Sequence, residues 1–177
     1  MNTDAIALME KNGQAHKPRT VLFVCTGNTC RSPMAAALYN DMTLPREVCS
    51  ACDDSDLEPV SGVAYSAGLY AADGDPISAE ALSVLQQSGV RPVEGVEYTA
   101  HTARRVTREM IEEADVVVGI TAAHAMELTM RFPQCAGKIT AMPMDVTDPY
   151  GRGENAYRTC LLQLRYCLQL LCRGEKA

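Results

Sequence analysis

The sequence contains no apolar run approaching the roughly 20 residues that a membrane-spanning helix needs, so no helix crossing a membrane is expected. It also lacks an excess of basic residues. Its 16 Lys and Arg stand against 22 Asp and Glu, a formal net charge of −6. A broad basic face for nucleic acid is therefore excluded, and a phosphate group must be met in a local electropositive pocket. Residues 1–18, with acids at Asp4 and Glu10 and no sustained apolar stretch, do not read as a secretory signal. No internal repeat and no linker divides the chain.

Cysteine is not scarce: there are eight. With no export signal, and with these residues set inside strand and helix patterns, they read as free thiols in a reducing cytoplasm rather than as a disulfide framework. Cys49-x-x-Cys52 has a zinc-like spacing, but no second pair of ligands is evident. Cys160 and Cys167 lie seven apart on an apolar helix stripe, which core packing explains. No metal and no cofactor is expected.

The 177 residues are 47% hydrophobic and 21% charged, which suits one globular domain over residues 19–177 behind a polar leader at 1–18. Val21-Leu22-Phe23-Val24 is a short apolar β-type run. A loop follows, then a helix-forming stretch over Ser32–Met42. Residues 45–61, with two prolines and five acids, read as a surface excursion. Val63–Ala67 is a second strand. Ser78–Gln87 is a helix with a serine N-cap and Gly89 just past its end. Thr107 opens another capped helix, Asp115–Ile120 is a buried strand, Ala122–Arg131 is helical and Lys138–Met142 is the fourth strand. A loop at 143–153 leads to an amphipathic helix over Glu154–Cys172. Strands alternating with helices predict an α/β fold of three layers, a four-stranded parallel sheet flanked by helices.

The chemistry is concentrated in Cys25-Thr26-Gly27-Asn28-Thr29-Cys30-Arg31-Ser32, between the first strand and the first helix. A lone cysteine after a strand is usually a small buried hydrophobe. The octapeptide as a whole has no packing purpose. Its five intervening residues can wrap into a semicircle whose backbone N–H groups point inward, and the helix N-terminus adds partial positive charge. Gly27 and Asn28 tolerate the left-handed backbone such a loop requires. Arg31 can take two phosphate oxygens with its planar fork. A helix N-terminus and a cation favour a cysteine's thiolate. Ser32 can donate a hydrogen bond to that sulfur, and Pro33 suits the first turn of the helix. A thiolate nucleophile also needs a proton donor for the leaving group. Asp148, ahead of Pro149 and Tyr150, serves either as a turn residue or as that acid; Asp145 is the nearby alternative.

The segment CTGNTCRSPMA resembles the active-site signature of the low-molecular-weight protein tyrosine phosphatases, including their protein arginine phosphatase branch. The resemblance extends over about residues 20–172, through Ser66-Ala-Gly, His101, Glu112-Glu-Ala-Asp-Val-Val-Val and Asp148-Pro-Tyr-Gly in the same order. It implies the four-stranded parallel fold and hydrolysis of phosphorylated proteins through a phosphocysteine, with inorganic phosphate as product. Cys25, Arg31 and Asp148 would then be catalytic, residues 26–32 would hold the phosphate, and Asn28, Ser32, Ser66 and His101 would support the loop. Tyr70 and Tyr150 would wall the substrate pocket. By themselves, His101 reads equally as a solvated loop histidine and Tyr70 as an ordinary tyrosine. The departures are the leader, the 45–61 stretch and Ala36, where relatives often carry glutamate.

Thr29 is the substrate-selecting position. Tyrosine phosphatases of the family usually carry a larger branched apolar residue there, and relatives that act on phosphoarginine carry threonine. A threonine leaves room for a flat guanidinium and offers it a hydroxyl acceptor, where isoleucine offers only methyls. The expected substrate is thus phosphoarginine in proteins, with phosphotyrosine as the alternative, and an arginine kinase as functional counterpart. Cys30 is placed to form a protective disulfide with Cys25 on oxidation. An arsenate reductase would need two further cysteines near mid-chain, and none lies between Cys52 and Cys135.

Overall fold

The computed structural model describes residues 19–44 and 62–173. The leader at 1–18 and the excursion at 45–61, with Cys49 and Cys52, lie outside the described residues. Four strands form one parallel sheet: β1 (Arg19–Cys25), β2 (Gly62–Gly68), β3 (Val116–Gly119) and β4 (Ile139–Ala141), in the order β2-β1-β3-β4. Five α-helices connect and follow them: α1 (Arg31–Thr43), α2 (Ala79–Gln87), α3 (Arg108–Glu113), α4 (Ala122–Arg131) and α5 (Glu154–Arg173). Among the described residues, no helix is long and apolar enough to cross a membrane.

Alternation along β1 sets the layers. Val21, Phe23 and Cys25 face one core with α1, α2 and α5; Leu22 and Val24 face the other with Ile111 of α3 and Leu128 of α4. Each apolar side chain buried as fully as Phe23 or Leu164 is worth about 1.5–3 kcal/mol. Helix α5 presents Tyr157, Cys160, Leu161, Leu164, Cys167 and Leu168 inward at three- and four-residue spacing. Helix α1 is different, because every residue from Arg31 to Asn40 is buried. It lies under both α5 and the outer edge of β2, where Asn40 takes the place of a fifth strand: its amide accepts from Ala64 N–H at 2.7 Å and donates to Ala64 C=O at 3.0 Å.

Element limits differ from the sequence reading where backbone pairing, not side-chain pattern, decides. Strand β1 begins at Arg19, because Arg19 and Thr20 still pair with Gly62 and Val63. Asp115 precedes β3 instead of opening it. Its carboxylate accepts the Thr20 N–H at 2.8 Å and its own N–H donates to Thr20 C=O at 2.9 Å. Ser78, Thr107 and Thr121 cap α2, α3 and α4 with their hydroxyls, and Gly89, just past α2, has φ +69°.

All the strands run one way, so the C-terminal ends of β1 and β2 converge on the loop that joins β1 to α1. Gly68 closes β2 against that loop. A Cβ there would stand 2.7 Å from the Thr26 carbonyl oxygen and 3.0 Å from the Asn28 nitrogen, both backbone atoms.

Candidate active site

Strand β1 delivers Cys25 and α1 begins at Arg31, so residues 26–30 make the turn between them. The N-cap residue, Cys30, forms no side-chain capping bond. The first-turn amides of α1 are therefore not taken by a cap, the condition an oxyanion site at a helix N-terminus requires. Cys25 Sγ accepts from the Asn28 N–H at 3.3 Å and lies 3.0 Å from Ser32 Oγ. Ser32 Oγ also accepts from Asn28 Nδ2 at 2.9 Å and reaches the Ala67 carbonyl at 3.2 Å. A hydroxyl has one proton. Beside a thiol it can stay on the carbonyl; beside a thiolate it turns to the sulfur.

Asn28 is the hub of the loop. It is fully buried and holds φ +58°, a left-handed conformation that asparagine tolerates better than most residues. Its amide donates to Ser32 Oγ and Ser66 Oγ, both at 2.9 Å, and accepts the Arg104 N–H at 2.9 Å. Its carbonyl accepts from His101 Nε2 at 2.8 Å, which places a proton on that ring nitrogen. These bonds bring Asn28, Ser32, Ser66 and His101 together.

Burial lowers the pKa of His101; the bond to the Asn28 carbonyl opposes this and the Arg104 charge reinforces it. His124 is also lowered, by burial and then by Arg31. A histidine held below its unfolded value near 6.5 binds its proton later in the folded chain, so stability is full above that value and falls as pH drops through it. We expect the melting temperature to decline from about pH 7 to about pH 5.5, and the decline to be shallower in His101→Gln. Identical pH slopes for the two proteins would contradict this.

Arg31 is the buried cation of the site, its side chain 8% exposed against 49% for Asp148. Its Nη2 donates to Asp148 Oδ2 at 2.7 Å and to Thr26 Oγ1 at 3.4 Å. The other Asp148 oxygen accepts the Tyr150 N–H at 3.2 Å, so the turn and the ion pair use one oxygen each. Asp145 is engaged elsewhere, accepting the Ala122 N–H at the start of α4. An ion pair this exposed on one side is weak and can yield its arginine to a phosphate dianion.

Two tyrosines stand at the rim. Tyr70 is fixed by its N–H to the Thr26 carbonyl at 2.9 Å, by its hydroxyl to Glu127, and by the Arg131 guanidinium 4.6 Å from its ring centre. Tyr150 is 74% exposed. Thr29 is half-buried within the loop. Its carbonyl accepts the Ser78 N–H at 2.9 Å and its hydroxyl lies 3.6 Å from Cys30 Sγ. Cys25 and Cys30 are free thiols. The Cys30 sulfur is held 3.2 Å from Tyr157 Oη and 3.4 Å from Ser78 Oγ, contacts it must leave to join Cys25. Burial, then the bond to Cys30, pushes the Tyr157 hydroxyl upward.

Three participants were not legible in the sequence. Arg104 holds Asn28 through a backbone N–H, which no side-chain type signals. His124 and Tyr157 reach the loop from α4 and α5, where their spacing reads as ordinary helix stripe.

A cysteine and an arginine with five residues between them around a helix N-terminus, and a carboxylate paired with that arginine, define a cysteine-dependent phosphatase. The family model for low molecular weight phosphotyrosine protein phosphatase matches residues 20–175, and the chain belongs to that family of hydrolases. It is 33% identical over 162 residues to a protein-arginine-phosphatase of Geobacillus stearothermophilus, covering 87% of this chain and 94% of the relative. A probable low molecular weight protein-tyrosine-phosphatase of Ralstonia solanacearum is 28% identical, covering 83% and 89%. Among solved structures, the arginine phosphatase of Geobacillus stearothermophilus superposes with a TM-score of 0.71 at 31% identity, over 88% of this chain and 91% of that one.

Proposed function

We propose that this protein removes phosphate from phosphoarginine in cytoplasmic proteins, opposing an arginine kinase. Thr29 carries the reading. It puts a hydroxyl in the phosphate loop, 3.6 Å from the Cys30 sulfur. A guanidinium leaving group needs polar partners where it passes the loop, and a bulky aliphatic residue would leave its donors unsatisfied. The arginine phosphatase among the relatives supports the same substrate.

In the proposed reaction the phosphoryl group enters the loop, displaces Asp148 from Arg31 and takes hydrogen bonds from the loop amides and the guanidinium. Cys25 Sγ attacks phosphorus in line. Asp148, released from Arg31, takes up a proton from solvent; the S–P bond then forms as the P–N bond breaks, and Asp148 gives that proton to the departing nitrogen. Asp148, now a carboxylate, takes a proton from water. The water oxygen bonds to phosphorus, the S–P bond breaks, and Ser32 donates to the released thiolate. Preorganised donors around the phosphoryl oxygens supply the largest part of the acceleration. Tyr70 and Tyr150 would flank the substrate side chain.

Phosphotyrosine is the second reading, favoured by these two exposed rings. The test is kcat/KM for matched phosphoarginine and phosphotyrosine peptides, in the wild type and in Thr29→Ile. The wild type should prefer phosphoarginine. Thr29→Ile should lower kcat/KM for that peptide by about 10-fold or more, with little change for phosphotyrosine. A wild-type preference for phosphotyrosine would overturn the substrate and leave the hydrolase class intact.

A further inference from the structure

Helix α4 opens beside the phosphate loop, and its first turn holds a buried histidine whose two ring nitrogens are both engaged. His124 Nδ1 lies 2.8 Å from Thr121 Oγ1, the hydroxyl that caps the helix and also accepts the His124 N–H at 3.3 Å. His124 Nε2 lies 3.0 Å from Thr26 Oγ1. Thr26 Oγ1 in turn accepts from Arg31 Nη2 at 3.4 Å. We infer that Thr121, His124 and Thr26 form a side-chain relay that orients the Arg31 guanidinium for phosphate, making His124 a positioning residue and Thr26 a direct partner of the phosphate-binding arginine.

Proton counting supports this. A neutral imidazole carries one N–H and each hydroxyl one O–H. If Nδ1 is protonated it donates to Thr121, and Nε2 accepts the Thr26 O–H. If Nε2 is protonated it donates to Thr26, and Thr121 donates to Nδ1. In both arrangements the Thr26 oxygen keeps a lone pair for Arg31. The histidine thus fixes where that lone pair points, acting on Arg31 through Thr26.

The bond matters most once phosphate is bound. Asp148 then leaves Nη2, and Thr26 is the partner that still holds this nitrogen. A guanidinium free to swing would meet phosphate with a poorer fork and pay its ordering on binding. The effect therefore falls on phosphate affinity more than on the bond-breaking step, where Cys25 and Asp148 act.

The inference rests on the reading of Arg31 as the phosphate clamp, which wild-type inhibition by inorganic phosphate tests by itself. The variants are Thr26→Val and Thr26→Ser, then His124→Ala and His124→Gln, assayed with an aryl phosphate and with inorganic phosphate as inhibitor. Thr26→Val keeps the shape of an exposed residue and loses the hydroxyl. It should raise KM and the phosphate inhibition constant about 5- to 10-fold, with a smaller change in kcat. His124→Ala should do the same, and Thr26→Ser and His124→Gln should recover most of the loss. The Thr26→Val/His124→Ala double variant should be no worse than either single one, because both interrupt one chain. An unchanged inhibition constant in Thr26→Val, a loss confined to kcat, or fully multiplying effects would each overturn the relay. If His124→Ala does not fold, the contrast between Thr26→Val and Thr26→Ser decides alone.

Discussion

Cys25→Ser is expected to bind inorganic phosphate and to turn over nothing measurable. The serine would occupy the same place, between the Asn28 N–H and Ser32 Oγ, which now lie 3.3 and 3.0 Å from the sulfur. The Arg31 side chain and the α1 N-terminus are untouched, so the oxyanion site survives. What disappears is the proposed nucleophile. A hydroxyl is far harder to deprotonate than a thiol, and among the described residues no base stands in hydrogen-bond contact with Cys25 to do it: its partners there are a serine hydroxyl and a backbone amide. Titration with phosphate followed by calorimetry, beside a turnover assay, reads both halves. Substantial residual turnover would show that the chemistry does not pass through this sulfur.

Asp148→Asn has the second largest expected effect, and its two kinetic constants should move in opposite senses of efficiency. An asparagine cannot protonate a leaving nitrogen or oxygen, and general acid catalysis by a side chain is commonly worth about 10²–10⁴ in rate, so kcat should fall within that range. The resting carboxylate also occupies Arg31 Nη2 at 2.7 Å. Phosphate must displace it. Without the charge, inorganic phosphate should inhibit more tightly, by a few fold, since a half-exposed pair is worth about 1 kcal/mol at most. Steady-state kinetics with phosphate as competitive inhibitor checks this. A variant with weakened phosphate inhibition would show that Asp148 supports binding instead of competing with it.

The fold was legible because its signals are local. Apolar runs at 21–24 and 116–118, hydroxyl caps at Ser78 and Thr107, and the Glu154–Cys172 stripe each follow from a few neighbouring residues. The loop between β1 and α1 was legible because Cys25, Asn28, Arg31 and Ser32 sit within eight positions of one another. The rest of the site is long-range. Arg104 meets Asn28 across 76 positions, His124 meets Thr26 across 98 and Tyr157 meets Cys30 across 127. Parallel strands force such separations, because each crossover must carry a helix before the chain returns to the same sheet edge. His101 stood undecided between loop and site until its ring nitrogen was placed on the Asn28 carbonyl. Asp148 makes the turn bond to the Tyr150 N–H with one carboxylate oxygen and the Arg31 ion pair with the other, and the second partner lies 117 positions away.

The most direct test is to quench the protein during turnover of a phosphoarginine peptide and locate the phosphoryl group by peptide mass analysis. The expected result is one phosphoryl group on the peptide that carries Cys25, present during turnover and lost once the substrate is exhausted. Turnover at full rate with no phosphoryl group on Cys25 at any quench time would contradict a phosphocysteine intermediate at this loop.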